Sequence, residues 1–232
     1  MLADADLAAV AELMSAHRAT LLLALIGGDA LSAGDLAHRA EISPSLASAH
    51  LSKLLDGGLL TVEQRGRERH YRLTSPHVAE VIEAMLTLAP HRQAATLRES
   101  TRGQAIRHAR TCYDHLAGTL GVALTDALEH QRVIEATDNS YRVTNSGAKR
   151  LGELGLDLAA LQARRRAFAR PCLDWTERRP HLAGALGAGI ADRLLELNWL
   201  QRIPNSRAVR ITDTGQRCLR NELALNLAIP GR

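Results

Sequence analysis

A short segment in the second half of the chain carries side chains suited to holding a ligand. Cys112, Asp114 and His115 run together, with Tyr113 between the first two. Cys172 and Asp174 repeat the first two sixty residues later, followed by Trp175, and His181 follows after an insertion at Thr176–Pro180. A thiolate, a carboxylate and an imidazole form a ligand set for a divalent metal ion. Two such sets meeting across a pseudo-symmetric interface would enclose a pocket. The same residues support three other readings. Cys112 and Cys172 could oxidise to a disulfide and act as a redox switch. An organic effector could stack on Trp175 and Tyr113, with Asp114 or His115 as its anchor. Or the cysteines are simply buried, and Asp114 and Asp174 cap helices.

A second chemistry-bearing stretch lies near the N-terminus. Ser43 followed by Pro44 is a strong helix start, a capping residue ahead of a proline at the first helical position. The helix it predicts runs through Leu54 and ends at Asp56-Gly57-Gly58. Its apolar side is Leu46, Ala49, Leu51, Leu54 and Leu55; its small polar side is Ser45, Ser48 and Ser52. Small hydroxyl side chains let a helix approach a major-groove floor and bond to base edges or phosphates. His50 and Lys53 stand where they could reach the DNA backbone. Two alternating strands then flank Arg65-Gly66-Arg67, which predicts a hairpin over Leu59–Leu73 with Arg65, Arg67 and Arg69 at its tip. A basic hairpin beside such a helix has the geometry of a wing lying along phosphates.

The elements before this helix complete the pattern. Residues 4–16 repeat apolar positions at helical spacing, and a second helix runs from about His17 to Leu25 before Gly27-Gly28. Ser32 caps a short helix with Leu36 and Ala40 on its apolar face. Glu41-Ile42-Ser43-Pro44 makes the turn between two short helices, a helix-turn-helix. The matching pieces are Asp35-Leu36-Ala37, Ser48-Ala49-His50-Leu51, Leu54-Leu55-Asp56-Gly57-Gly58-Leu59-Leu60, and Arg65-Gly66-Arg67 leading to Tyr71-Arg72-Leu73. Together they resemble the DNA-binding core of the arsenic-responsive ArsR repressor family over roughly residues 5–100. The resemblance implies a homodimer joined through the first helix and the helix after the wing, about Ser75–Thr96, bound to double-stranded operator DNA. The helix-three thiolate pair of the metal-sensing members would fall at Leu31–Asp35, where no cysteine stands. His77 and His91 do not fit the spacing of their dimer-interface zinc site.

The rest of the chain repeats itself. His115–Leu128 resembles His181–Leu194, and Arg142–Gly147 resembles Arg210–Gly215. Each copy reads as helix, hairpin, helix. The expected architecture is mainly α with short β-hairpins: a winged helix-turn-helix domain over 1–103, then a domain over 104–232 built of two winged-helix-like repeats, about 110–156 and 170–224. The second domain reads as effector-sensing or dimer-supporting. The cluster Arg164-Arg165-Arg166, with Arg170, Arg178 and Arg179, reads as a solvated face, as partners for acidic residues of the first domain, or as a second phosphate contact.

Bulk properties bound these readings. The 232 residues are enough for two small cores, and with aromatics at 3% those cores must be aliphatic. No apolar run is long enough to span a bilayer, and the N-terminus does not read as a signal peptide. Three cysteines make no disulfide framework, which fits a reducing, cytoplasmic setting. The net charge of +4 is uneven: residues 1–100 hold 9 basic against 12 acidic side chains, so the DNA-binding reading rests on local charge. No nucleophile elbow, phosphate-cradling loop or zinc-protease motif is present, and a catalytic role is not expected. A winged helix that binds proteins rather than DNA is the alternative.

Overall fold

A computed structural model describes residues 13–88, 97–204, 206–225 and 227. Most of the helix expected over 4–16, the end of the helix expected to Thr96, and His91 lie outside the described residues. The chain divides into two compact units, one ending at Ile82 and one starting at Glu83. The division falls earlier than residue 103, because Glu83 pairs with Arg110 and Arg207 of the second unit.

In the first unit, α1 (Ala16–Leu25) is followed by a short strand β1 (Leu31–Ser32), α2 (Ala33–Ala40) and α3 (Pro44–Asp56). Ser32 caps α2: its Oγ accepts from Asp35 N at 3.1 Å and donates to the Asp35 carboxylate at 2.8 Å. Ser43 caps α3, accepting from Leu46 N. Between the helices Glu41 turns left-handed at φ 55°. Leu21, Leu22, Leu25, Leu36, Ala47, Leu51 and Leu54 are buried and form the core of this unit.

The hairpin consists of β2 (Leu60–Arg65) and β3 (Glu68–Leu73), antiparallel from Leu60 opposite Leu73 to Arg65 opposite Glu68. Its two-residue turn is Gly66-Arg67, with Gly66 at φ 61°, a conformation costly for any residue with a Cβ. β1 adds a third strand, pairing Leu31 with Tyr71, and so ties the hairpin to the start of α2. A two-residue strand is too short for alternation to announce it. The helix α4 (Pro76–Leu88) follows and contains the division between the units.

The second unit is a tandem repeat of hairpin, helix, hairpin, helix, preceded by α5 (Leu97–His108). The first copy is β4 (Arg110–Cys112), β5 (His115–Ala117), α6 (Gly118–His130), β6 (Ile134–Ala136), β7 (Tyr141–Val143) and α7 (Asn145–Glu153). After the short α8 (Leu158–Gln162) comes the second copy: β8 (Arg170–Leu173), β9 (Pro180–Ala183), α9 (Gly184–Glu196), β10 (Leu200–Arg202), β11 (Val209–Ile211) and α10 (Asp213–Leu223). The leading hairpins, β4–β5 and β8–β9, add to the helix, hairpin, helix expected for each copy. Leu120, Leu124 and Leu128 of α6 meet Leu186, Ile190 and Leu194 of α9 in one aliphatic core, with Trp199 and Leu200.

The two copies are interlocked. α6 packs on β9 of the second copy, and α9 packs on β5 of the first. Gly121 and Gly187 occupy the same place in the two helices. A Cβ at Gly121 would lie 2.4 Å from the Leu116 carbonyl oxygen, and one at Gly187 the same distance from that of Leu182. Both obstacles are backbone and cannot swing away. Gly121→Ala is therefore expected to destabilise the protein by about 1–3 kcal/mol or more, against little change for Gly152→Ala, whose position is open. Urea unfolding of the two variants checks this.

Candidate functional site: a winged helix and a buried cysteine-histidine cluster

The exposed face of α3 is built by helical spacing. Ala47, Leu51 and Leu54 point into the core, which turns Ser45, Ser48, Ala49, Ser52 and Lys53 outward. Leu46 is 39% exposed and Ala49 is also exposed, so both leave the apolar side to which the sequence pattern assigns them. The buried stripe is narrower than expected because α3 is covered mainly by α1, α2 and β2. An outward Leu and Ala among serines give a surface that can touch thymine methyl groups as well as polar base edges. Ser43 is committed to its cap, with its hydroxyl also 3.2 Å from that of Ser45.

His50 differs from expectation. It is half-buried and turned toward α1, where Arg18 lies 3.3 Å from its Nδ1 and the His17 ring is 5.4 Å away. Burial lowers its pKa, and the charges of Arg18, His17 and Lys53 lower it further. A neutral ring held there positions α3 on α1 rather than reaching a phosphate.

The hairpin carries its arginines on both faces. In the register of β2 and β3, Arg65 shares a face with Glu63 and Arg72, whereas Arg69 lies on the face of Tyr71. Arg65 pairs with Glu63, and Arg69 stacks over the Tyr71 ring at 5.5 Å. Arg67 stands at the turn between them and is exposed. His77, on α4, is 3.7 Å from Glu80.

In the second unit, Cys112, His115, Cys172 and His181 come together from two hairpins. Cys112 faces His115 across β4–β5, and Cys172 faces His181 across β8–β9. Each hairpin therefore presents one thiol and one imidazole side by side. The four Sγ and ring-nitrogen atoms lie within 4.8 Å of one another, and all four residues are buried. The two sulfurs are 4.0 Å apart, and the two Nε2 atoms are 3.1 Å apart. Ala117 and Ala183 fill the space beside the sulfurs with small groups. The hydrogen bond from Cys112 lowers the pKa of Cys172 despite burial, and His115 and His181 add to this. The same bond, together with burial, raises Cys112.

The expected carboxylates stand behind the imidazoles rather than among the converging atoms. Asp114 Oδ1 is 3.4 Å from His115 Nδ1, and Asp174 Oδ2 is 3.6 Å from His181 Nδ1. The latter is too long for a hydrogen bond, and Nδ1 of His181 has no other partner among the described residues. Asp114 pairs with Arg166, so this member of the arginine cluster serves its own unit. Arg179 likewise pairs with Asp126.

Asp174 is the most constrained group of the site. It is fully buried and takes five hydrogen bonds. Oδ1 accepts from Thr176 N, Thr176 Oγ1 and Glu177 N; Oδ2 accepts from Gly118 N at 2.7 Å and Arg110 at 2.9 Å. Gly118 begins α6, and Ala117 provides no side-chain cap, so Asp174 caps the helix of the opposite copy. Burial works to raise its pKa, but Arg110 and these donors hold it well below the usual carboxylate range. Trp175 lies over the Arg110 guanidinium at 5.0 Å, as a cover to this ion pair.

Removing one partner of a buried pair leaves the other charged and dry. Asp174→Ala should cost about 3–5 kcal/mol, and Asp114→Ala, whose side chain is partly exposed, clearly less. Thermal and urea unfolding measure the difference; equal losses would contradict the role given to Asp174.

Residues 13–63 match a helix-turn-helix domain family. An HTH-type transcriptional regulator of Bacillus subtilis (strain 168), YdfF, is 43% identical over 212 residues, covering 91% of this chain and 94% of its own length. Reduced HlyU from Vibrio cholerae N16961 is 28% identical, covering 37% of this chain and 90% of that one at a TM-score of 0.32. The homodimeric winged helix-turn-helix DNA-binding domain Mb0332 from Mycobacterium bovis is 21% identical, covering 40% and 100% at a TM-score of 0.33. With a relative of 43% identity aligned along nearly its whole length, the chain belongs to the HTH-type transcriptional regulators.

Proposed function

We propose that this regulator is an ArsR-type dimeric repressor that binds double-stranded operator DNA through α3 and the β2–β3 wing and is released by an effector held in its second unit. The observation that carries the DNA reading is the outward row Ser45, Ser48, Ala49, Ser52 and Lys53 beside a hairpin tipped by Arg65, Arg67 and Arg69. The serine row suits base edges, whereas the arginines suit phosphates. Electrostatic contacts of the second kind act on any sequence and weaken with salt. Arg65→Ala with Arg67→Ala should weaken binding to operator and random duplex alike. The slope of log K against log salt should become shallower by about one for each phosphate no longer neutralised. Fluorescence anisotropy over a salt series reads both; unchanged binding would remove the wing from the interface.

The dimer reading is supported by α4. Val81, Met85 and Leu88 are 47%, 41% and 85% exposed and recur at helical spacing, an apolar stripe suited to a second copy. Val81→Glu with Met85→Glu should shift the protein toward monomer in analytical ultracentrifugation and weaken operator binding with it. Because both side chains are exposed, the fold should survive; a dimer of unchanged stability would place the interface elsewhere.

A further inference from the structure

The geometry points to a closed, four-coordinate metal site in the second unit, formed by Cys112 Sγ, Cys172 Sγ, His115 Nε2 and His181 Nε2 and taking a zinc-class divalent cation. This names the effector chemistry of the proposed regulator. It rests on that reading only for the effect on DNA, not for the binding of the ion.

The donor set selects the ion class. Two thiolates and two imidazoles in a tetrahedron are a zinc coordination sphere; hard cations such as magnesium and calcium take oxygen instead. The spacing agrees. With zinc-sulfur bonds of about 2.3 Å and zinc-nitrogen bonds of about 2.0–2.1 Å, a tetrahedron has sulfur-sulfur and nitrogen-nitrogen edges of about 3.8 Å and about 3.3 Å. The observed separations are 4.0 Å and 3.1 Å. All four ligands come from the protein and all are buried, so no coordination position is left for a substrate. That is the arrangement of a structural or sensing ion rather than a catalytic one.

The surroundings of the imidazoles give a second, independent reason. A histidine bound through Nε2 commonly directs its Nδ1 hydrogen to a carboxylate, which fixes the ring and strengthens the ligand. His115 has such a partner in Asp114 at 3.4 Å, and Asp174 lies on the same side of His181 at 3.6 Å, just beyond hydrogen-bond distance. Arg166 and Arg110 in turn hold the two carboxylates. The two Nε2 atoms face each other at 3.1 Å, within hydrogen-bond distance, and an ion there would take the place of the proton they share. Charge balances: both sulfurs bind as thiolates and release their protons to solvent, the hydrogen shared by the two Nε2 atoms moves to Nδ1 of its ring so that both nitrogens ligate as neutral imidazoles, and two thiolates neutralise a divalent ion. No electron is transferred.

Cobalt(II) is the probe, because its spectrum reports both geometry and sulfur ligation. The reduced, chelator-stripped full-length protein is titrated with cobalt(II), then with zinc(II) in competition. One equivalent should bind, with intense tetrahedral ligand-field bands and a thiolate-to-cobalt charge-transfer band, and zinc should displace it. Cys112→Ser and Cys172→Ser should each weaken the charge-transfer band and lower affinity at least tenfold; Cys218→Ser should change neither. Asp114→Asn, which leaves all four ligands intact, should lower affinity by about 10–100-fold. The wing variant Arg65→Ala/Arg67→Ala should bind cobalt unchanged, so loss of DNA binding and loss of ion binding are separate failures. Weak octahedral bands without sulfur charge transfer, or full affinity in both cysteine variants, would overturn the site. So would a reduced protein that binds no cobalt while air oxidation joins Cys112 to Cys172, a result that would assign the pair to redox chemistry.

Discussion

The second unit depends on a carboxylate that water cannot reach. Asp174 is fully buried, and a buried anion is tolerated only when its lone pairs are taken and its charge is answered. Arg110 answers the charge, and four further donors take the lone pairs. These partners come from different places: Gly118 and Arg110 from the first copy, Thr176 and Glu177 from the second. Satisfying one carboxylate therefore fixes the β8–β9 loop, the start of α6 and the start of β4 at once. It also sets the carboxyl group behind His181, so structural and ligating residues share a single anchor.

The first unit is organised by different physics. Its recognition surface follows from the pitch of one helix, whose inner stripe is aliphatic, and from a two-residue turn that lets a charged ribbon project. Among the described residues, few polar groups are buried there apart from Arg18. A surface meant for a polyanion gains from staying solvated until its partner arrives, whereas a cation site gains from being dry. The proposed DNA surface and the proposed ion site lie in separate compact units.

The parts legible in the sequence are those with a period or a punctuation mark. Ser43-Pro44 announces α3, Arg65-Gly66-Arg67 announces the hairpin turn, and the likeness of His115–Leu128 to His181–Leu194 announces the duplication. Strands of three or four residues carry too little alternation to be read alone; β6–β7 and β10–β11 are legible through the turn residues between them, whereas β4–β5 and β8–β9 have no comparable punctuation. That hides β4, β5, β8 and β9, and with them the cross-strand pairing of each cysteine with its histidine. Asp114 and Asp174 stand beside cysteine and histidine in the sequence and look like ligands. Both lie in the loops that join the hairpin strands, just outside the paired cysteines and histidines, which places the carboxylates behind the rings. Leu46 and Ala49 depart from the expected apolar side because an apolar residue on a helix does not itself say which side is covered. His50 is turned toward α1 by Arg18 and His17, contacts between residues more than thirty positions apart.

The interlocking of the two copies bears on how such a chain could have arisen. Each leading hairpin offers one sulfur and one ring nitrogen, half of a coordination sphere, and each long helix lies against the other copy's hairpin. A lone copy would expose the face that α6 or α9 now covers, and it would chelate only by associating with a twin. Fusing the two in one polypeptide replaces a meeting in solution by a tether, which raises the effective concentration of each half for the other. The tandem unit thus has the arrangement of a dimer joined in one chain, independent of protein concentration, with halves that differ at Trp175 and in the longer second loop.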